Sequence, residues 1–354
     1  MEERVKVAAV QVPPVFMDRE ATVDRACKSI EEAGRNGARV AVFSETFIPG
    51  FPYWRGLQPI SRWSEIMVDY QKNSLRIPST DTEVMCDAAR DAGTIVAMGC
   101  TEMSDRKGSC TLYNTILFID GQGQIMGRHR KLMPTHGERM VWGMGDASDV
   151  VTFDTDIGTI GGLVCYEHHM TLLKSAMALM GEEIHCAVWP GYWVMDRHPG
   201  KKKRWEDGDP IHMCDIEHAA REYAFENQCF VISVGQYIPD DQMPEWCQDF
   251  NVAAGGSMIV NPAGVVLEGP LLNKEGILYA ELNPDDRAMT KAYFDCMGHY
   301  SRWDVMRLDL RMEPAVPSSE HVPITRKRIA EVADRHGVDP EELADMIFEL
   351  GEMD

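Results

Sequence analysis

The sequence predicts an α/β protein with mixed sheets. Short runs rich in Val, Ile and Ala alternate with stretches of helical apolar spacing along most of the chain. Two pairs of apolar runs are separated by Gly-containing turns that read as hairpins. With 354 residues, 44% of them hydrophobic, the chain has material for one large α/β domain or two small ones. In order, residues 5–12 alternate and predict a first strand. Residues 21–37 have helical spacing and end in Gly37. Residues 39–44 predict a second strand that stops at Glu45, residues 82–92 a helix closed by Gly93, and residues 94–101 the next strand. Asp120-Gly121-Gln122-Gly123 divides residues 114–131 into a hairpin, and Asp156-Ile157-Gly158 does the same for residues 150–165. Residues 172–183 predict a Met- and Ala-rich helix, its methionines spaced for a core; residues 185–189 follow as a strand and 211–227 as a long helix. Residues 229–236, 257–260 and 265–268 are later strands, the last two flanking Asn261-Pro262-Ala263-Gly264, and residues 277–282 close the sheet. Periodicity does not distinguish one sheet from two.

No linker-like stretch divides the chain before about Met312, so residues 1–312 are expected to form the main domain. Residues 314–324 contain Pro and Ser and read as a connector. Residues 325–350 read helical twice, broken at Gly337-Val338-Asp339-Pro340, where Asp before Pro and two glutamates makes a helix start. Residues 313–354 are therefore expected to be a connector and a short helical tail that docks or stabilises an oligomer.

Three strand ends carry chemistry. Ile160-Gly161-Gly162-Leu163-Val164 is an apolar run that stops at Cys165-Tyr166-Glu167-His168-His169. A residue there leaves the sheet at the edge where α/β folds commonly bind ligands. Phe43-Ser44-Glu45 and Arg130-Lys131 end two other strands in the same way, offering a carboxylate and an ammonium. The thiolate, not the thiol, is the nucleophile. Glu45 could take its proton as general base, and Lys131 could stabilise the thiolate and the charge growing on a substrate nitrogen or oxygen. That combination fits nucleophilic attack on an electrophilic carbon bonded to nitrogen. A Cys–His arrangement using His136, His168 or His169 is the competing reading. His168 and His169 are adjacent, so in an extended segment only one could face the thiol.

The ordered motifs Glu45-Thr46-Phe47-Ile48-Pro49-Gly50-Phe51-Pro52, Lys131-Leu132-Met133-Pro134-Thr135 with Glu138-Arg139, and Cys165-Tyr166-Glu167-His168 resemble those of the nitrilase superfamily of carbon–nitrogen hydrolases. Gly298-His299-Tyr300-Ser301-Arg302 with Asp304-Val305 resembles a signature of the nitrilase branch itself that related amidases lack. The resemblance covers roughly residues 5–310. Two positions depart from the usual pattern: Tyr166 stands where many nitrilases have Trp, and Trp303 where many have Pro. The resemblance implies a four-layer αββα sandwich. It implies Glu45 as general base, Lys131 as electrostatic stabiliser, Cys165 as nucleophile and Glu138 as a second glutamate positioning substrate or lysine. The backbone N–H of Tyr166 is the expected oxyanion donor. The activity implied is hydrolysis of a nitrile to a carboxylic acid and ammonia through a thioimidate and a thioester, with no metal and no organic cofactor. A cyanide hydrolase or an aliphatic amidase would use the same triad; a catalytically silent oligomeric scaffold is the reading of a different class. Nitrilases form dimers that often extend into spirals or filaments, so a homo-oligomer is expected.

Aromatic residues crowd the motif edges: Tyr53, Trp54, Trp142, Trp189, Tyr192 and Trp193. With His136 and His168 they are the candidate substrate-binding residues, because small-molecule pockets are lined by apolar and aromatic side chains. The net charge of −21 argues against nucleic-acid binding, which wants a basic footprint. Lys201-Lys202-Lys203-Arg204 is the only dense basic run and reads as a solvated loop. No segment reaches the roughly 18 apolar residues of a membrane span, and Met1-Glu2-Glu3-Arg4 runs into a strand with no apolar leader. The ten cysteines include no C-x-x-C pair and are expected to be reduced core thiols of a cytoplasmic protein. Cys165, His168, His169, His185 and Cys186 fit no standard zinc spacing.

Overall fold

A computed structural model of the chain describes residues 1, 3–191, 215–312, 333 and 339. The chain divides into two compact units, Met1–Glu313 and Pro314–Asp354. The second unit, with the proposed tail helices, lies almost wholly outside the described residues, as do Tyr192, Trp193 and the Lys201–Arg204 run.

The first unit contains twelve described strands: β1 (Val5–Gln11), β2 (Val40–Phe43), β3 (Ile95–Met103), β4 (Leu112–Ile119), β5 (Ile125–Arg130), β6 (Phe153–Thr155), β7 (Gly158–Val164), β8 (Ile184–Trp189), β9 (Phe230–Gly235), β10 (Gly255–Val260), β11 (Val266–Leu272) and β12 (Gly276–Leu282). The helices are α1 (Arg19–Arg35), α2 (Ile60–Lys72), α3 (Thr80–Ala92), α4 (Thr171–Leu179), α5 (Asp215–Asn227), α6 (Glu245–Gln248) and α7 (Pro284–Tyr293). The strands form two six-stranded sheets, ordered β12-β1-β2-β3-β4-β5 and β11-β10-β9-β8-β7-β6. Each has a parallel centre and antiparallel margins. In the first, β1–β2 and β2–β3 are parallel; in the second, β7–β8 and β8–β9 are. The predicted hairpins are β4–β5 and β6–β7.

The sheets stack face to face, β1 and β2 against β8, β9 and β10. Successive residues of a strand face opposite sides, and central strands such as β2, β8 and β9 are buried at every position, one face against the other sheet and the second against helices. Val7, Ala9, Val40 and Val42 of the first sheet therefore share a buried core with Leu163, Val188, Val231 and Ile259 of the second. Ala8, Val10, Ala41 and Phe43 point the other way, into a core with Val23, Ile30 and Met85 of α1 and α3. α5 covers β9 and β10 on the opposite side. This is the expected αββα sandwich.

Sequence signals account for the start of α1 and both ends of α3. Asp18 caps α1 by accepting from Ala21 N, and Ser79 and Thr82 form a reciprocal capping box on α3, which stops at left-handed Gly93. α2 was not legible. It starts at Pro59 without a side-chain cap and buries only Tyr70, so neither a cap nor a wide apolar stripe marks it.

Candidate active site

The three strand ends meet. Glu45 follows β2 and Lys131 follows β5, both in the first sheet, whereas Cys165 follows β7 of the second. All three are buried, as is Glu138. Carboxylate oxygens of Glu45 and Glu138 and the Cys165 sulfur lie within 4.8 Å of one another. A trio of this kind could hold a metal ion, but Lys131 already supplies the cation. Its Nζ donates to Glu45 Oε1 at 3.1 Å and to Glu138 Oε2 at 2.7 Å.

Non-glycine residues at positive φ follow these strands: Thr46 at 43° and Cys165 at 51° in the turns that end β2 and β7, and His136 at 47° farther along, where the 3-10 turn after Lys131 begins. Side chains avoid this region because Cβ crowds the neighbouring carbonyl, at a cost of about 1–3 kcal/mol each. A β-branched threonine there is a marked outlier. Gly99 on β3 allows the first turn, since a Cβ there would lie 2.0 Å from the Ser44 carbonyl oxygen. The turn at Cys165 puts the thiol at the tip of β7 and begins a 3-10 helix, Cys165–His169. Its geometry is that of a nucleophile elbow, in which a sharp bend exposes the attacking atom at the sheet edge.

Among the described residues the Glu45 carboxylate is strongly perturbed. Burial pushes its pKa up, the Lys131 ammonium and an Asn114 hydrogen bond pull it back and Glu138 repels it, leaving it at about 7. Asn114 on β4 donates to Oε1 at 2.6 Å, while Oε2 is buried and has no hydrogen-bond partner among the described residues. For Lys131, burial opposes the charge, but Glu45, Cys165 and Glu138 together hold the ammonium above its ordinary range. Glu138 sits in the 3-10 turn His136–Met140, where Oε2 also accepts from Thr135 N at 2.7 Å.

Several residues that the sequence did not single out hold these groups in place. Gln236, just beyond β9, donates to the Glu45 carbonyl at 2.9 Å and accepts from Phe51 N, so the second sheet grips the glutamate's backbone. Glu167 accepts from Leu132 N, Val164 N and His129 Nε2, each at 2.8 Å. It thereby ties the cysteine strand to the lysine strand. Burial works against ionising both partners, yet their mutual attraction lowers the Glu167 pKa and raises that of His129.

The candidate substrate-binding residues divide into groups. Tyr53 is buried, its hydroxyl within hydrogen-bond reach of the Pro190 carbonyl and Gln236 Oε1. Trp142 packs edge-on against Phe51, and Trp54 against Trp63 and Tyr70, in one buried cluster. His168 and Trp189 stack on each other at 4.6 Å behind the cysteine turn. His168 Nδ1 lies 2.7 Å from the Cys165 carbonyl. Burial, the neighbouring His185 and more distant positive charge hold His168 well below the usual histidine range, so it is neutral. His136 is exposed and makes none of the contacts that join Glu45, Lys131, Glu138 and Cys165. Tyr166 is 36% exposed and packs its ring on His169.

An acid, an amine and a thiol converging across a two-sheet sandwich define a carbon–nitrogen hydrolase, and the chain belongs to that family, whose sequence model matches residues 6–292. Among named proteins it is similar to nitrilases. An aliphatic nitrilase from Rhodococcus rhodochrous is 37% identical over 321 residues, which is 88% of this chain and 84% of that one. Nitrilase 1 from Arabidopsis thaliana is 35% identical over 88% of both chains. A solved carbon–nitrogen hydrolase from Helicobacter pylori shares the fold with a TM-score of 0.65 at 18% identity, over 85% of this chain and 97% of that one.

Among the described residues no helix is long and apolar enough to cross a membrane. The nine described cysteines form no disulfide with one another.

Proposed function

We propose that this protein is a nitrilase that converts an organic nitrile to the carboxylic acid and ammonia. The observation that carries the reading is the buried Glu45 carboxylate: Oε1 accepts from Lys131, Oε2 has no hydrogen-bond partner among the described residues, and one of its oxygens lies within 4.8 Å of the Cys165 sulfur. A carboxylate poised near neutrality with one oxygen unoccupied is equipped to accept and return a proton.

Glu45 takes the thiol proton and Cys165 attacks the nitrile carbon. The nitrogen receives the proton, giving a thioimidate. Glu45 then activates water, which adds to the thioimidate carbon. The resulting tetrahedral intermediate expels ammonia and leaves a thioester. A second water releases the acid and restores the thiol. Lys131 offsets negative charge through the cycle without losing its proton. Glu138 holds that ammonium, and the Tyr166 N–H serves the growing charge on the substrate. Tyr53, Trp142 and the aromatic residues around them form the pocket wall. An uncharged aliphatic or aromatic nitrile suits such a lining.

Ammonia release from a panel of aliphatic, aromatic and arylaliphatic nitriles, with cyanide and simple amides included, tests the reading. Turnover of cyanide alone, or of amides alone, would replace it with the corresponding hydrolase or amidase. No turnover of any of them would leave an inactive scaffold. We also propose a homo-oligomer, a dimer able to extend into a spiral or filament, on the strength of the family resemblance. A cytoplasmic location is supported by the cysteine-rich, disulfide-free character of the described chain. Light scattering and fractionation would test these.

A further inference from the structure

We propose that Glu182, His185 and Tyr223 are positioning residues for the nucleophile: with His168 they form a buried hydrogen-bonded chain that fixes the Cys165 carbonyl, and with it the direction of the thiol. The proposal rests on the reading of Cys165 as nucleophile.

The chain starts on the outer helix layer. The Tyr223 hydroxyl, on α5, donates to Glu182 Oε2 at 2.6 Å. Glu182 Oε1 lies 2.7 Å from His185 Nδ1, and His185 Nε2 lies 2.9 Å from His168 Nε2. His168 Nδ1 then reaches the Cys165 carbonyl at 2.7 Å. All four side chains are at most 1% exposed. His185 is also stacked on the Tyr223 ring, with centroids 3.8 Å apart.

The protons in this chain can be counted. A carbonyl oxygen only accepts, so His168 Nδ1 carries hydrogen. His168 is neutral, so its Nε2 is bare and must accept. His185 Nε2 therefore carries hydrogen and donates. His185 Nδ1 and Glu182 Oε1 must then share one further proton, whichever of the two holds it. Every donor is matched, and the order of bonds leaves His168 a single tautomer. Remove Glu182, and His185 either faces apolar surroundings with a bare Nδ1 or turns its own bare Nε2 toward that of His168. The first buries an unpaired acceptor and removes what holds His185 in place, and the second breaks its bond to His168; each weakens the hold on the Cys165 carbonyl.

The strand that carries the nucleophile makes room for this arrangement. A Cβ at Gly161 on β7 would lie 2.3 Å from Glu182 Oε1. Gly161 pairs with His185 on the adjacent strand β8. The glycine run before the cysteine thus admits a carboxylate into the interior. A residue in the left-handed region, such as Cys165 at φ 51°, keeps that conformation only where its surroundings over-determine it. The carbonyl anchor supplies one such constraint.

The informative substitution is Glu182→Gln, compared with Glu182→Leu. The amide can replace the carboxylate at both ends, its NH₂ donating to His185 Nδ1 and its oxygen accepting from Tyr223; leucine can do neither. Turnover of a nitrile, and the rate at which iodoacetamide alkylates Cys165 by intact mass, are measured on the full-length protein. Glu182→Leu is expected to lose about a hundredfold in kcat, the scale of a displacement of about 1 Å in a reacting group, with KM little changed and alkylation slowed in parallel. Glu182→Gln is expected to retain both. A Gln variant as impaired as the Leu variant, or a Leu variant as active and as readily alkylated as the wild type, overturns the proposal. If Glu182→Leu does not fold, His185→Gln against His185→Leu makes the same comparison, since glutamine still offers an N–H to His168. Equal impairment of that pair overturns the proposal likewise. Absence of nitrile turnover in the wild type would sink only the nitrilase reading, and the alkylation rates would still decide the chain.

Discussion

Asn114 Nδ2 stands 2.6 Å from Glu45 Oε1, so one oxygen of the carboxylate is held while Oε2 stays unbonded among the described residues. Asn114 also accepts from Lys131 N through its own carbonyl, at 2.8 Å. One residue on β4 thus holds the Glu45 carboxylate with its side chain and the Lys131 backbone with its main-chain carbonyl.

That relationship predicts a pH effect. Glu45 must be ionised to take the thiol proton, so kcat/KM should fall as pH drops through about 7. The Asn114 bond favours the ionised form. Asn114→Ala should therefore raise the Glu45 pKa and move the acid limb to higher pH. A pH–rate profile checks this; an unmoved limb would show that some other group controls it.

Cys165→Ala and Cys165→Ser should fold and lose turnover, because no other group starts the cycle. At low dose an alkylating agent should modify Cys165, detected by intact mass. Wild-type rates in the alanine variant would remove the mechanism.

Lys131 and Glu45 act through charge. Lys131→Gln should cost at least about 2.7–4 kcal/mol of transition-state stabilisation, the range for one oxyanion donor. Glu45→Gln cannot accept a proton, and acylation should stop. Single-turnover kinetics that retain more than about a tenth of the wild-type rate, a change under roughly 1.4 kcal/mol, would mean the residue has been misassigned.

The His129–Glu167 pair bears on stability. Glu167 is shifted below its ordinary 4.5, and that contribution is present above 4.5 and lost as pH falls through the lowered value. His129 is shifted above its ordinary 6.5, and that contribution is present below 6.5 and lost as pH rises through the raised value. The pair therefore contributes fully between 4.5 and 6.5. Breaking a buried pair costs about 3–5 kcal/mol, so Glu167→Gln should lower the melting temperature most in that window. Thermal melts across pH decide it; a uniform loss would mean that the pair is not ionised.

Tyr166→Trp should change the ranking of nitriles by size more than it changes stability. About 1–3 kcal/mol of discrimination attends one methylene in an apolar pocket, and the indole is a larger change than that. An unchanged ranking and acid-to-amide ratio would show that the half-exposed ring faces away from substrate and that only its backbone serves the site.

The groups proposed to react stand at strand ends in the sequence. Glu45 and Cys165 close apolar runs, where periodicity changes abruptly, whereas Lys131 follows Arg128-His129-Arg130 and is marked by the motif Lys131-Leu132-Met133-Pro134-Thr135. Their supports carry no such mark. Asn114 and His185 sit inside strands that read as ordinary β-structure, and Gln236 lies just beyond the end of another. Nothing local tells that they reach across to a different strand or sheet. Glu182 looked like the end of a helix, and only the packing of α5 against the second sheet brings Tyr223 to it. His136 and His168 were read alike from sequence, but one is exposed at its turn and the other enclosed beneath the thiol.

The division of the site between two sheets governs when it comes to exist. The base and the amine ride on one layer and the sulfur on the other, and Gln236 bridges them. In chain order the strands that carry Glu45 and Lys131 precede the cysteine strand, while β8 to β11 of the second layer and β12 of the first follow it. Until the layers close, the sulfur is an ordinary thiol with no base at its side. Catalysis, in turn, reports the docking of the two layers more sharply than any measure of helix or strand content.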